Sequence, residues 1–389
     1  MSKNIFKIIL VFILLFCLSS SISFVHAYTI GKKKTENTVS ELTYADMEAQ
    51  FANNVFITKD EEFKIFVEKD LELENLIADC KKHGLMFGLA LGGGSARGLA
   101  HVGVILALEA YDIPIDIIAG TSIGAVIGSL YASGATVKEL EEVALSIKKS
   151  KTLFMIDPAF PRSGLISGDR IEKMLNKFAL KDKTFDDLNI PFAAVATEIE
   201  NGAEVIISQG KLIDAVRASI SIPGIFTPVK YQDYYLVDGG LVNPVPANVA
   251  QMMGADIIIA VNLSKMNPYI STIEFNKENV PSETSEKQSD DDKKEKTSIF
   301  KKQIAKVKLS LEGPNLFEVI NQSIDIMQAN ITEQSLEGTD IIIVPFGIKD
   351  INTLDFDEAE LLIKGGIMAT LINIPRIKEV MEEKLKGKE

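Results

Sequence analysis

The chain has 389 residues, of which 46% are hydrophobic and 24% charged, enough apolar material for one large core or two modest ones. A formal net charge of −13 disfavours a nucleic-acid partner, which a basic face would serve, and disfavours docking on anionic lipid by charge alone. A slightly positive mean hydropathy argues against a disordered or fibrous chain.

The chain opens on Lys3 and Lys7, followed by an uninterrupted apolar run from Ile8 to Leu18 and then Val25-His26-Ala27. This is the outline of a secretory signal peptide over residues 1–27, and it predicts an exported protein, periplasmic or secreted. The rival is an uncleaved membrane anchor, because residues 8–25 carry no charge, although four serines weaken a spanning helix. Phe16 before Cys17 argues against a lipoprotein. Cleavage leaves Cys80 alone, so neither an intrachain disulfide nor a cysteine-based zinc site is expected.

Residues 28–85 read as an N-terminal helical extension, with helices over Thr43–Phe51 and Glu61–His83 on the spacing of Phe63, Phe66, Val67, Leu71, Leu73, Leu76 and Ile77. From Leu85 onward, short apolar runs alternate with helical patterns. Strands are predicted at 85–91, 115–119, 192–196, 205–208, 234–237, 257–262 and 341–345. Helices are predicted at 100–109, 123–132, 137–149, 169–178, 211–219, 246–253, 315–332 and 357–371. Continuous apolar strands such as Ile257–Val261 belong to sheets covered on both faces, so the class is α/β with a largely parallel sheet. Residues 277–298 contain twelve charged residues and one aliphatic, Val280, so 277–300 reads as a charged, disordered insertion within a domain spanning 86–373. Residues 374–389 read as a C-terminal helix or tail.

Gly120-Thr121-Ser122-Ile123-Gly124 follows a predicted strand and opens a small-residue helix. That is G-x-S-x-G in a strand–turn–helix setting, where Gly120 and Gly124 allow a tight elbow that presents the Ser122 hydroxyl. A serine nucleophile needs a base. Only three histidines exist, His26, His83 and His101, and none follows Ser122. Either the serine works without histidine or the protein is not an enzyme. Asp238 stands at the predicted end of a strand, before Gly239-Gly240, where an aspartate in a dry site can deprotonate a serine directly. Its structural alternative is a turn aspartate capping its own loop. The glycine loop from Gly92 to Gly98 then reads as an oxyanion site rather than a phosphate cradle, because Arg97 stands where G-x-G-x-x-G needs glycine and no G-x-x-x-x-G-K-[ST] is present.

Three elements together, "LGGGSARGLAHVGV", "GTSIG" and "DGG", resemble the patatin-like phospholipase family, and "SGLISGDRIEKML", "ASISIPGIFTPV" and "DGGLVNPVPA" match its bacterial members. The resemblance covers roughly residues 86–373. It implies a three-layer α/β/α fold, acyl-ester hydrolysis without metal or cofactor, Ser122 as nucleophile and Asp238 as its base. It also implies an oxyanion site from the backbone of Gly93 and Gly94, with Gly92 and Arg97 nearby, and a lipid or membrane-surface acyl ester as substrate. An acyltransferase on the same two residues and a catalytically silent lipid- or partner-binding protein are the alternatives. A hydrophobic rim is expected from Ile222, Ile225 and Phe226, and from Phe154, Met155, Ile156 and Phe160.

Overall fold

Ile117–Thr121 and Tyr234–Asp238, the two strands that carry the candidate serine and aspartate, belong to one eight-stranded mixed sheet. The computed structural model describes residues 55–59, 63–67, 70–149, 164–166, 168–264, 316–349, 351–352 and 355–388. The expected leader, its anchor alternative, the predicted helix Thr43–Phe51, the apolar loop 154–160 and the charged insertion 277–300 lie outside these residues.

The strands in chain order are β1 (Val55–Lys59), β2 (Phe63–Val67), β3 (Phe87–Leu91), β4 (Ile117–Thr121), β5 (Gly164–Ile166), β6 (Phe192–Glu198), β7 (Glu204–Ile207), β8 (Gly224–Phe226), β9 (Val229–Tyr231), β10 (Tyr234–Asp238), β11 (Ile257–Val261) and β12 (Ile341–Ile343). The helices are α1 (Leu71–Lys82), α2 (Ala100–Ala110), α3 (Ile123–Ala132), α4 (Val137–Lys149), α5 (Asp169–Leu175), α6 (Leu212–Ser219), α7 (Ala247–Met252), α8 (Leu316–Ser335) and α9 (Ala359–Lys386). Strands β12, β11, β3, β4 and β6 run parallel, while β10, β9 and β7 add antiparallel pairings.

Every residue of β3, β4, β6 and β11 is buried, as a sheet covered on both faces requires. Alternation along each strand divides the core. Leu89, Leu91, Ile118, Ile257 and Ile259 pack with α1–α4, α6 and α9 on one face, while Ala90, Ala119, Val195, Ile258 and Ala260 pack with α7 on the other. The result is the expected three-layer α/β/α architecture. Helices α2 and α9 cross so closely that a Cβ on Gly103 would lie 1.9 Å from the Ile363 carbonyl oxygen.

Two expectations need correction. The predicted helix Glu61–His83 is instead strand β2 followed by α1. Residues 63–67 read Phe-Lys-Ile-Phe-Val, a short run rich in aromatic and β-branched residues, and β2 pairs with β1 in a hairpin with Lys59 opposite Phe63. Asp70 caps α1 by accepting the Leu73 N–H at 3.0 Å, so the helix starts only there. The boundary at 373/374 also fails. Helix α9 continues through Pro375, and Ile374, Ile377, Val380 and Met381 are all buried. Pro375 removes one donor from the helix ladder, but apolar packing on both sides of it keeps the helix whole.

Candidate active site

Strand β6 explains how two residues so distant in sequence meet. Residues 194–197 pair with β7 along one edge. The opposite edge is occupied by β4 up to Val195, which faces Thr121. From Ala196 onward that same edge is taken by β10, with Asp238 opposite Ala196 and Val237 opposite Thr197. Strands β4 and β10 therefore run toward one another along one edge of β6 and end at adjacent rungs. Asp238 reaches the rim as the last residue of an antiparallel strand, not of a parallel one, and it meets Ser122 end on.

Ser122 Oγ donates to Asp238 Oδ2 at 2.5 Å. Both residues are buried, at 5% and 2% exposure. Ser122 is held at φ 55°, ψ −122°, a conformation that costs a non-glycine residue of order 1–3 kcal/mol and that the surroundings must enforce. They do so by close approach. A Cβ on Gly124 would sit 2.0 Å from the Leu91 carbonyl oxygen, and one on Gly120 would sit 2.6 Å from the Gly124 carbonyl oxygen. The strained Ser122 amide donates to Ser219 Oγ at 2.9 Å, and Ser219 in turn donates to the Val195 carbonyl at 2.6 Å. Thr121 Oγ1 donates to the Asn243 carbonyl and fixes the residue before the serine.

Asp238 both caps its own turn and faces the serine. Its Oδ1 accepts the Gly240 N–H at 2.7 Å, and the backbone closes a short helical turn at Gly239–Leu241. Burial pushes its pKa up to about 6, with the Ser122 and Gly240 hydrogen bonds acting in the opposite direction. Gly239 lets the turn press against β6, since a Cβ there would lie 2.3 Å from the Val195 carbonyl oxygen.

The glycine loop differs from expectation in detail. The Gly92 N–H donates to the Val261 carbonyl at 3.1 Å and continues the β3–β11 ladder. The Gly93 N–H donates to the Pro244 carbonyl at 2.8 Å. Both amides are thus committed, and neither can serve a substrate oxygen. Gly94 and Ser95 line the same cavity as Ser122 and Asp238, and their N–H groups meet no acceptor among the described residues. The composition of the loop pointed to three consecutive glycines. Only the ladder, which extends one residue past β3, shifts the available donors toward Ser95.

Arg97 is 2% exposed and braces this loop. Its Nε donates to the Gly94 carbonyl at 3.2 Å, and its Nη2 pairs with Asp325 of α8 at 2.6 Å. His101, the one histidine near the loop, is wholly buried, and burial pulls its pKa down to about 4, so it is neutral. Its Nε2 lies 2.8 Å from the Gly92 carbonyl, an acceptor only, so that nitrogen carries the proton and holds the loop from below. His101 reaches neither Ser122 nor Asp238 by any hydrogen bond among the described residues.

Helix α8 closes the site, which no sequence motif announced. Asn321, Ile324, Asp325 and Gln328, one stripe at helical spacing, line the cavity with Ile222, Pro223 and Leu241. Ile222 meets the rim expectation. Ile225 and Phe226 are buried in the core instead, at 4% each. Ser219 falls within "ASISIPGIFTPV", and nothing in its local sequence shows that it receives the elbow amide.

Fold and site together define an α/β protein with a strained serine at a G-x-S-x-G elbow and a buried aspartate as its partner. Residues 89–250 match the family model described as patatin-like phospholipase. Human patatin-like phospholipase domain-containing protein 6 is 34% identical over 189 residues, covering 47% of this chain and 14% of that protein. Mouse patatin-like phospholipase domain-containing protein 7 is 36% identical over 185 residues, covering 46% and 14%. An uncharacterised NTE family protein of Mycobacterium tuberculosis is 39% identical over 180 residues, covering 45% and 48%. The chain thus spans less than half the length of these relatives. VipD from Legionella pneumophila superposes at a TM-score of 0.38 with 13% identity over 86% of this chain and 70% of that one, too remote to bear on the site.

Proposed function

We propose that the domain is a serine acyl hydrolase acting on lipid acyl esters through Ser122 and Asp238. The observation that carries this is the 2.5 Å hydrogen bond from a strained, glycine-bounded serine to a buried aspartate whose pKa lies near 6. Such a carboxylate is ionised at neutral pH yet basic enough to take a proton. In the first step Ser122 Oγ attacks the acyl carbonyl and its proton passes to Asp238. The Gly94 and Ser95 amides receive the developing oxyanion, with Arg97 holding their loop. The proton then goes to the departing alkoxide, which leaves as alcohol and yields the acyl-enzyme. Water, deprotonated by Asp238, releases the acid and restores Ser122. The apolar cavity wall of Ile222, Pro223, Leu241 and Ile324 and the family of the domain support a lipid ester as substrate.

The test is acyl release from short- and long-chain esters and from diacyl phospholipid micelles, with chelator present. Ser122→Ala and Asp238→Ala are each expected to lose about 10³-fold or more in kcat. An inert parent chain, or activity that survives Asp238→Ala, would sink the reading.

A further inference from the structure

Ser122 follows β4 and Asp238 ends β10, yet one short segment holds both main chains. At the end of α6, Ser219 Oγ accepts the Ser122 N–H at 2.9 Å. Two residues on, the Ser221 carbonyl accepts the Asp238 N–H at 3.0 Å. Residues 219–221 therefore help set how far the serine stands from the carboxylate. Ser221 lies past the last residue of α6, beyond the regular helix ladder. What fixes it there is Arg217, one turn earlier. Arg217 is buried at 5% exposure, a costly place for a cation unless its donors are used. Its Nη1 donates to Ser221 Oγ at 2.6 Å, and that hydroxyl donates back to the Arg217 carbonyl at 2.8 Å. Its Nη2 donates to the Thr227 carbonyl at 3.1 Å and to Thr227 Oγ1 at 3.2 Å. The guanidinium carbon lies 5.4 Å from the centre of the Phe226 ring, and Glu172 Oε1 stands 3.8 Å from Nε. Gly168, just before α5, leaves room for this head, since a Cβ there would lie 2.3 Å from Nε. The planar fork thus ties both ends of the span from Ser221 to Thr227, which carries the cavity-lining Ile222 and Pro223.

We propose that Arg217 is a positioning residue whose fork locks Ser221 and, through the Ser221 carbonyl, holds Asp238 within hydrogen-bond reach of Ser122. The proposal rests on the hydrolase reading for its kinetic consequence, while the clamp itself is a matter of geometry. Neither Arg217 nor Ser221 lines the cavity beside Ser122, so neither touches a substrate there. Both act through the Asp238 main chain. Lysine is no substitute for Arg217, because a single ammonium on a flexible stem does not hold Ser221 and Thr227 in two fixed directions at once. Loss of the clamp lets Asp238 drift from Ser122, so the proton transfer suffers while the substrate wall stays.

The experiment uses the full chain and a water-soluble short-chain ester, with Arg217→Lys, Ser221→Ala and the double variant. Each single change is expected to lower kcat about tenfold with KM within about twofold of the parent. The double variant is expected to be no slower than Arg217→Lys alone, because both changes break the same link. Should Arg217→Lys fail to fold, Ser221→Ala decides, since it removes one hydroxyl and leaves the carbonyl that Asp238 uses. Parental kcat in Ser221→Ala, losses that multiply in the double variant, or a raised KM at unchanged kcat would each overturn the proposal. A crystal structure of Ser221→Ala gives a readout that needs no activity. There the Ser122–Asp238 separation is expected to lengthen beyond about 3.2 Å. A separation unchanged at 2.5 Å would overturn the clamp. A lengthened pair in a chain whose parent hydrolyses nothing would support the clamp while refuting the hydrolase reading.

Discussion

Asp238 links the chemistry of the site to the stability of the fold. Its carboxyl is wholly buried and its pKa is raised from 3.8 to about 6, so the folded state holds this proton more tightly than the unfolded chain does. The sign is fixed by that difference. Asp238 costs nothing while protonated below about pH 4, becomes destabilising as pH rises toward 6, and stays so above it. The full cost approaches about 3 kcal/mol. Asp238→Asn is therefore expected to abolish acyl release yet raise the urea midpoint at pH 8, with no gain at pH 4. A variant less stable than the parent at pH 8 would contradict this. With Asp238 as the proposed base, kcat/KM of the parent is expected to fall tenfold per unit below about pH 6. Ser219 is a positioning residue. Ser219→Ala leaves the Ser122 amide without its acceptor and should cost about 1–3 kcal/mol of stability. A drop in kcat at unchanged KM would show that the elbow, and not substrate binding, has suffered.

The elbow works because α3 is pressed against the end of β3. Gly124→Ala would place a methyl carbon 2.0 Å from the Leu91 carbonyl oxygen and 2.9 Å from that of Gly92, both backbone atoms that cannot rotate away. The helix or the glycine loop must then shift. The expected outcome is a loss of several kcal/mol in denaturant unfolding together with near-complete loss of activity, since overpacking alone costs about 1–3 kcal/mol even where side chains can yield. Retention of parental stability would show that the loop gives way freely. Much of this element was legible in the sequence. G-x-S-x-G after an apolar strand and before a small-residue helix leaves few geometries open. Which amides of the glycine loop remain free was not legible there, because Gly92 and Gly93 donate to Val261 and Pro244, and neither acceptor is near Gly92 in sequence. The β1–β2 hairpin was missed because Phe63, Phe66 and Val67 fit helical spacing about as well as strand alternation over so short a run.

At the scale of the molecule, α9 is part of the domain rather than a tail. Four of its residues beyond 373 are buried, and Lys378 reaches Asp70 and Glu72 at the start of α1, each at 2.7 Å. Those ion pairs add little, since exposed pairs contribute about 0–1 kcal/mol. The apolar side chains matter more, at about 1.5–3 kcal/mol apiece. A chain ending at residue 373 is expected to be insoluble or to melt far below the parent, and a soluble, cooperative truncation would refute this. The sequence by itself determined which chemical groups are the candidates. Once Ser122 was recognised with no histidine after it, a carboxylate base had to be sought, and Asp238 stood beside a glycine turn at a strand end. Local sequence also set the strand and helix alternation, because continuous apolar runs and 3.6-residue periodicity are properties of neighbours along the chain. Only the tertiary structure decided that β4 and β10 meet head on along β6, that the free amides are those of Gly94 and Ser95, and that α8 roofs the serine. Each of these depends on contacts between segments far apart in sequence, and no local pattern records which distant backbone atom will arrive as partner.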